Sequence, residues 1–416
     1  MEITTFGALL GLVLAIVMII RKYNPAYSLI LGALAGGIIG GASIPSTVNF
    51  MIEGAAGMSP AVLRILTAGV LAGILIESGA AGKIAETIIR SMGEGKAFLA
   101  LALATMILTA AGVFVDIAVI TVSPIALAIG RRLNLTKMSI LLAMIGGGKA
   151  GNIISPNPNT IAAAEAFGVN LFDLMKTNII PAVFGLVITY FIAKKLTNKG
   201  EHVKEEDEPE LTNVLPPFWS AALGPVLTIF LLALRPIAGI SIDPLIALPV
   251  GGIAGGIAMG KTKHLKEYIT FGLGKMTGVA ILLLGTGTVA GIIKHSNLKD
   301  VTLSLLEQSG LPTYLLAPIS GALMSAATAS TTAGTTVASA TFADAIMSAG
   351  ISGLAGAAMV HAGATVLDHL PHGSFFHATA GCTNTNFKER LRLIPYESAV
   401  GFTLAFVSTL IHSGIL

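Results

Sequence analysis

Two short polar stretches interrupt the apolar sequence at prolines, and both carry side chains that could bind a small anion or exchange protons. In the first, GNIISPNPNT (151–160), Pro156 and Pro158 cannot donate backbone hydrogen bonds and disfavour helix at the residues before them. We expect the helix to break there, which leaves amides and hydroxyls beside free helix ends, where a carboxylate or hydroxyl ligand could bind. The candidate substrate-binding residues here are Asn152, Ser155, Asn157, Asn159 and Thr160.

The second stretch, GATVLDHLPHGSFFHATAG (363–381), breaks at Pro371 and is rich in groups that can gain or lose protons near neutral pH. Asp368 and His369 are therefore candidates for carrying a coupling proton. The spacing of His369 and His372, with Asp368 beside them, could also suit a metal ion. Because this single cluster has no convincing third ligand, proton handling is favoured and no metal site is expected. The candidate substrate-binding residues here are His372, Gly373 and Ser374.

A third polar region has hydroxyls in place of charges. The segment from Ser325 to Thr341 has nine Ser or Thr residues in seventeen and no charged residue. Hydroxyls both donate and accept, which suits a carboxylate or polyol substrate. The alternative is that they bond back to the preceding helical turn or pack against a neighbouring helix. The candidates for substrate contact are Ser330, Thr331, Thr332, Thr335 and Thr336.

Asp116 is the only charge between Phe98 and Ile129. A carboxylate inside a membrane is by default a functional residue, so Asp116 is a further candidate for proton coupling. A structural role, as the partner of Lys149, is the alternative, and the two roles are compatible.

These residues must be positioned by a membrane protein. Hydrophobic residues make up 54% of the 416 and charged residues 11%, against roughly a quarter charged in a soluble domain. We expect nine to eleven apolar spans, each of about 17 to 25 residues. The single cysteine, Cys382, excludes an internal disulfide, and the net charge of +3 resides in short loops, so neither redox chemistry nor nucleic-acid binding is expected. No cofactor is expected.

Most Lys and Arg residues lie in six clusters, at 21–22, 83–96, 131–137, 194–204, 261–275 and 388–392, whereas the loop 42–60 has no basic residue before Pro60. If the first span runs from outside to inside, every cluster is cytoplasmic, which predicts an external N-terminus. The clusters at 83–96 and 131–137 fall on one side only if the chain between them enters the membrane and returns. The sequence therefore predicts a re-entrant hairpin there, with its turn facing protein or a watery cavity.

The chain also resembles itself at a spacing of about 219 residues. NPAYSLILGALAGGIIGG (24–41) matches DPLIALPVGGIAGGIAMG (243–260) at eight of eighteen positions. If the first half starts outside and ends inside, the second runs the opposite way, so the repeats are inverted, as in many secondary transporters. The expected fold is an all-α polytopic membrane protein. Its parts are a first repeat over 1–197 (hairpin about 98–130, broken helix about 138–167), a cytoplasmic linker over 198–216, and a second repeat over 217–416 (hairpin about 313–346, broken helix about 351–380).

The motifs GGGKAGNIISPNPNTIAAAEAFGVNLFDLM (146–175), VLDHLPHGSFF (366–376) and TASTTAGTT (328–336) resemble the gluconate permease (GntP) family of bacterial symporters, in the ion-transporter superfamily. The resemblance covers essentially the whole chain. It implies proton-coupled uptake of gluconate or a related sugar acid or small hydroxy carboxylate across the bacterial cytoplasmic (inner) membrane. It also implies a homodimer in which a transport domain slides as an elevator against a scaffold. By the same resemblance, binding involves Asp116 and Thr121, 152–160, 330–336 and 368–374.

Other functions agree less well with the sequence. Sodium-coupled relatives in the superfamily have Ser-Asn-Thr hairpin tips, and neither tip here has that tripeptide, so protons are favoured over sodium. An enzyme is not expected because the chain has neither HExxH nor GxSxG. A sodium-coupled carboxylate symporter, a sodium/proton antiporter and an ion channel of the same fold stay open as alternatives.

Overall fold

The computed structural model describes residues 3–207, 215–298 and 312–413, together with 301, 304 and 308. Over these residues the chain is helical, and its only β-type contacts are two isolated bridges. The expected all-α class is confirmed. The α-helices with described bounds are α1 Thr5–Ile20, α2 Pro25–Ile39, α3 Ile44–Gly57, α4 Ser59–Glu77, α5 Ala80–Met92, α6 Ala97–Ala110, α7 Val115–Arg132, α8 Lys137–Asn152, α9 Pro158–Ala166, α10 Leu171–Thr177, α11 Ile179–Lys195, α12 Phe218–Ala238, α13 Pro244–Ala258, α14 Leu265–Lys294, α15 Leu316–Thr328, α16 Thr331–Ser348, α17 Gly353–Ala364, α18 Ser374–Cys382 and α19 Phe387–His412.

Fewer helices are long enough to cross a bilayer than the apolar runs predict. In the described part of the chain, four helices have the length and hydropathy of a span, and the pair α10–α11, bent by 42°, makes a fifth if counted as one. Five other apolar helices have 10–17 residues. At about 1.5 Å per residue a 16-residue helix is about 24 Å long, short of a hydrocarbon core of about 30 Å. The difference arises because turns and caps divide the apolar runs.

Local sequence signals explain where the helices begin. Asn24 accepts a hydrogen bond from the amide of Tyr27 at the start of α2, and Asp243 accepts one from Leu245 at the start of α13. Each cap is followed by proline at the first helical position, where the missing N–H costs nothing. The same cap-and-proline start therefore occurs at both ends of the 219-residue spacing.

Glycines allow the helices to pack at short distance. A Cβ added at Gly32 on α2 would lie 2.4 Å from the carbonyl oxygen of Gly11 on α1, and one at Gly272 on α14 would lie 1.9 Å from that of Gly69 on α4. Any larger residue would force these helices apart. The small-residue patches therefore serve helix packing.

Two groups of three helices surround the polar interruptions. The antiparallel pair α6–α7 packs against α8, and the pair α15–α16 packs against α17. Helix α9 packs against α16 and α17, while α19 contacts α8, α11 and α17. Helix α14 has a different environment: it packs mainly against α2, α3 and α4 and also reaches α16. The first and second halves of the chain are thus interleaved in space.

The described part of the expected linker is bound to the helical body, and its residues 208–214 lie outside the described chain. The amide of Val203 donates to Leu135 O at 3.0 Å. The Lys137 Nζ donates to Asp207 Oδ1 at 2.8 Å, and both side chains are buried. Burial raises the pKa of the Asp207 carboxyl, but hydrogen bonds from Lys137, Lys204 and Asn384 outweigh it, so the pKa lies below its ordinary value.

Candidate functional site

A cavity of about 380 Å³ lies where the four interruptions of the helices meet. Its walls come from the α6–α7 turn, the break between α8 and α9, the α15–α16 turn, the break between α17 and α18, and the face of α14. A volume of this size suits a small organic ligand. Eight of the sixteen predicted site residues line it: Asp116, Asn152, Asn159, Ser330, Thr331, Thr332, Asp368 and Ser374.

The first break is held by its own asparagines. Asn157 caps α9: its Oδ1 accepts from the amides of Asn159 at 3.0 Å and Thr160 at 3.1 Å, and its Nδ2 donates to Asn152 O at 2.9 Å. Asn157 and Thr160 do not line the cavity, and their side chains take part in the cap. Asn152 and Asn159 do line it. The Oδ1 of Asn159 is buried and accepts no hydrogen bond within the described chain.

The second break is held by a buried ion pair. Lys149 Nζ lies 2.5 Å from Asp368 Oδ1 and 2.6 Å from Thr365 O, and the Lys149 side chain is 1% exposed. Lys149 belongs to α8 in the first half, so the pair joins the two breaks directly. The expectation that Asp116 is the partner of Lys149 is wrong, because the lysine is bound to Asp368 instead.

His369 is fully buried and faces away from the cavity. Its Nδ1 lies 2.9 Å from Lys149 Nζ, and its Nε2 lies 3.1 Å from Ile394 O and 3.2 Å from Ser398 Oγ. Its Nδ1 also lies 3.0 Å from Asp368 Oδ1, so both ring nitrogens are engaged by buried neighbours. His369 therefore anchors the second break to α19.

Other predicted residues of the second half build the hairpin turn. His372 Nε2 contacts Ala327 O at 3.3 Å, and a Cβ added at Gly373 would lie 2.5 Å from Ala329 O. Only glycine allows the break to approach the turn so closely, because any side chain would collide with this carbonyl. Ala329 itself occupies the left-handed region at φ 46°. Three predicted residues, Ser155, Thr335 and Thr336, are buried away from the cavity, and their hydroxyls have no hydrogen-bond partner among the described residues.

At the turn, Ser330 caps α16 by accepting from the amide of Ala333 at 3.3 Å. Thr331 Oγ1 donates to Asp368 Oδ2 at 2.5 Å. Both oxygens of Asp368 are therefore bound, one to an ammonium and one to a hydroxyl. The carboxylate is a junction between the second hairpin turn, the second break and α8.

Asp116 has a different environment from Asp368. It lies in the first turn of α7, is half-buried and faces the cavity. Within the described chain no cation approaches its carboxylate within 4.0 Å. Asp116 is thus the cavity carboxylate that is not neutralised by a direct ion pair.

Sequence reasoning missed Lys275. The sequence pattern places it in a basic cluster at 261–275 and hence in a loop, but it belongs to α14 and lines the cavity opposite the hairpin turns. Its Nζ lies 5.2 Å from the centre of the Phe271 ring, at an exposed position. Its position within the helix could have identified it in the sequence, because Lys275 is the charged residue of α14 that lies farthest from both helix ends.

A second cavity of about 100 Å³ is lined by Arg64, Glu165 and Asp243. Arg64 Nη2 lies 2.9 Å from Asp243 Oδ2, and Arg64 Nη1 donates to Glu165. The guanidinium holds the pKa of the Asp243 carboxyl below its ordinary value, because it donates to both carboxylate oxygens. The charges here satisfy one another, so this cavity offers little to a charged ligand.

No group of three or more His, Cys, Asp or Glu side chains in the described part of the chain is arranged to hold a metal ion. Asp368 and His369 turn toward Lys149, while His372 turns toward the carbonyl of Ala327. The three residues that share a metal-like spacing therefore do not converge on one point.

Comparison with known proteins gives consistent matches. Residues 3–248 match the model of the GntP family permeases, and residues 220–309 match that of a Na⁺–H⁺ antiporter family. An uncharacterized transporter of Haemophilus influenzae is 61% identical over 98% of both chains, and a gluconate permease of Pseudomonas aeruginosa is 25% identical over 78% of both. The YdaH transporter of Alcanivorax borkumensis has a similar fold, with a TM-score of 0.64 and 13% identity over 89% of this chain and 88% of that one.

Proposed function

Because the chain belongs to the GntP family of permeases, we propose that it is a secondary transporter that takes up gluconate or a related small hydroxy carboxylate together with protons. Family membership makes it a membrane transporter and not an enzyme. The substrate class follows from relatives named gluconate permease and gluconate transporter.

The observation that carries this proposal is the cavity where both hairpin turns and both helix breaks meet. The amides of Asn152 and Asn159 and the hydroxyls of Ser330 and Thr332 offer donors and acceptors to the hydroxyl groups of a sugar acid. Broken helices near a cavity present free backbone groups, which favour an anion at an N-terminus. The small volume favours one short-chain acid.

We assign the coupling proton to Asp116 and not to Asp368 or His369. The Asp368 carboxylate is bound to Lys149 and Thr331, and protonating it would leave the Lys149 ammonium buried without its charge partner. His369 has both ring nitrogens engaged away from the cavity. Asp116 faces the cavity without an ion pair, so it can take up and release a proton with less rearrangement.

The expected architecture forms part of the same proposal. Helices α2 and α13 begin 219 residues apart, as do α6 and α15, which supports two repeats over 1–197 and 217–416. The distribution of the basic clusters supports opposite directions for the two repeats. The hairpins α6–α7 and α15–α16 and the broken helices α8–α9 and α17–α18 would then form a transport domain that slides against the helices around α14. We further propose an external N-terminus, an inner-membrane location and a homodimer.

A sodium-coupled carboxylate symporter and a sodium/proton antiporter are the competing functions. The match of residues 220–309 to a Na⁺–H⁺ antiporter family supports the sodium/proton antiporter as an alternative. That match covers a smaller part of the chain than the permease match over 3–248. Uptake of a labelled sugar acid distinguishes the antiporter, which moves no organic anion, from both symporters, and the ion gradient that drives uptake distinguishes the two symporters.

The test is uptake of labelled gluconate by the purified protein in proteoliposomes, driven first by a proton gradient and then by a sodium gradient. We expect accumulation with the proton gradient alone. The Asp116→Asn variant should exchange gluconate across the membrane but no longer accumulate it, whereas Asp173→Asn, which removes an exposed carboxylate outside the cavity, should behave as wild type. Accumulation with sodium alone, or unchanged accumulation by Asp116→Asn, would contradict the coupling assigned here.

A further inference from the structure

Among the residues that the structure describes, the formal charges around the cavity leave one cation free for a ligand. Three described residues that line the cavity carry a formal charge: Asp116, Lys275 and Asp368. Asp368 is matched by Lys149 at 2.5 Å and is hydrogen-bonded by Thr331. Lys275 forms no ion pair within the described chain, and its ammonium lies over the face of the Phe271 ring. A substrate anion that enters the cavity therefore meets an unpaired ammonium at Lys275.

We infer that Lys275 binds the carboxylate of the transported acid and that the ionised Asp116 carboxylate competes with the substrate for it. This inference rests on the proposed function. When Asp116 is ionised, its charge offsets that of Lys275, and a second carboxylate is repelled by Asp116 while it is attracted by Lys275. When Asp116 is protonated, the cavity keeps an uncompensated positive charge. Anion binding and proton uptake then favour each other.

Asp116 and Lys275 belong to different elements but line the same cavity. Asp116 lies in the first turn of α7, and Lys275 lies on α14. Within the described chain they do not form an ion pair at 4.0 Å or less, so neither charge is neutralised by direct contact with the other. A carboxylate that binds Lys275 in this cavity would extend its hydroxyl chain toward the asparagines and hydroxyls that line it.

The other charged groups on neighbouring helices are already engaged or lie outside the cavity. Three helices packed against α7 carry such groups. On α8, Lys149 binds Asp368 and Lys137 binds Asp207. On α5, Glu86 binds Lys83 and Arg90, and on α18, His377 contacts Pro371 O. On the elements packed against α14, Arg64 binds Asp243 and Glu165, and Glu53 binds Lys294 and His295, while Glu77 and Asp344 do not line the cavity. Asp116 and Lys275 are therefore the pair that a ligand can perturb.

Lys275 belongs to a different structural element from the other polar residues of the cavity wall. The other polar residues of the cavity wall come from hairpin turns and helix breaks, whereas Lys275 comes from α14, which packs mainly against α2, α3 and α4. If the hairpins and broken helices move together, the contact between substrate and Lys275 exists only when they stand opposite this part of α14. The affinity for the anion would then differ between the two faces of the transport cycle.

The experiment is equilibrium binding of radiolabelled gluconate to the purified full-length protein in detergent, from mildly acidic to mildly alkaline pH. For the wild type we expect Kd to rise with pH, approaching about tenfold per pH unit, the limit for one linked proton. Lys275→Gln should weaken binding at least about tenfold at acidic pH, and Lys275→Arg should stay within about threefold of wild type, because charge is the feature required. Asp116→Asn should bind as tightly as acidic wild type at every pH.

A matched control removes a charge from the same helix but outside the cavity. Lys266 lies about 13.5 Å along α14 from Lys275, at an exposed position. Lys266→Gln should leave both Kd and its pH dependence unchanged. Circular dichroism and gel filtration of each variant exclude loss of the fold as the cause of weak binding.

The outcomes separate this inference from the function on which it rests. If the wild type binds neither gluconate nor any of a panel of sugar acids, the proposed function fails and the inference fails with it. If the wild type binds and Lys275→Gln binds equally well, only the inference is overturned. Equal loss in Lys275→Gln and Lys275→Arg would also overturn it, because the shape of the lysine and not its charge would then be required.

Discussion

The ion pair between Lys149 and Asp368 joins the two helix breaks, and replacing either residue tests this junction quantitatively. The side chains are 1% and 6% exposed, and Nζ and Oδ1 are 2.5 Å apart. Asp368→Asn keeps the shape of the side chain but removes its charge. The Lys149 ammonium then keeps the Thr365 carbonyl and the His369 ring beside it but loses its anionic partner.

Leaving one member of a buried pair without its partner costs about 3–5 kcal/mol, whereas an exposed pair contributes about 0–1 kcal/mol. We therefore expect Asp368→Asn and Lys149→Met each to lower the free energy of unfolding by about 3–5 kcal/mol. The double variant Lys149→Met/Asp368→Asn leaves no unmatched charge. Its loss should be smaller than the sum of the single losses by about 0.5–3 kcal/mol, the coupling expected for residues in contact.

The assay is unfolding in one detergent, followed by far-ultraviolet circular dichroism during SDS titration, for the wild type, both single variants and the double variant. The control is Asp173→Asn, which removes the exposed partner of Arg235 at 3.3 Å and should cost no more than about 1 kcal/mol. A variant Asp368→Asn that is no less stable than Asp173→Asn would contradict a buried, coupled pair. So would a double variant whose loss in free energy of unfolding equals the sum of the two single losses.

The α9 cap, the membrane topology and the docking of the linker can each be tested by substitution. Asn157→Ala should lower stability by about 0.5–2 kcal/mol through loss of the α9 cap, measured by thermal unfolding, with Asn157→Asp retaining most of it. In a Cys382→Ala background, Ser46→Cys should react with an impermeant thiol reagent from outside and Lys194→Cys only from inside, and the reverse pattern would overturn the proposed topology. The pKa of Asp207 in the folded protein is lowered, so its carboxylate stabilises linker docking above the ordinary pKa of 3.8, and this stabilisation is lost as pH falls through the folded pKa. At neutral pH, limited proteolysis should therefore cut the Asp207→Asn variant faster than the wild type.

The positions of the helix breaks follow closely from the sequence. Pro156 and Pro158 predict the interruption between α8 and α9, which spans 153–157, and the polar stretch around Pro371 predicts the one between α17 and α18, which spans 365–373. The turn between α15 and α16 lies within the predicted Ser/Thr-rich segment. These features are local, because proline, capping side chains and small residues act on the backbone within one helical turn.

The roles of individual side chains did not follow from the sequence in the same way. Asn157 reads as a ligand residue but serves as a helix cap, and His369 reads as a proton carrier but anchors the break to α19. Half of the predicted site residues lie away from the cavity. A polar residue at a break can satisfy the backbone or face a ligand, and its type alone does not distinguish the two.

The sequence by itself determined that the chain is helical and membrane-embedded, where its helices break and which family it belongs to, because composition, proline positions and motifs record these properties locally. Only the tertiary structure decided that Lys149 binds Asp368, 219 residues away, and that Lys275 faces the same cavity as Asp116. These pairings depend on how helices from the two halves pack through their glycines, and helix packing joins residues at sequence separations that no local pattern encodes. The charge balance of the cavity is therefore a property of the packed helices.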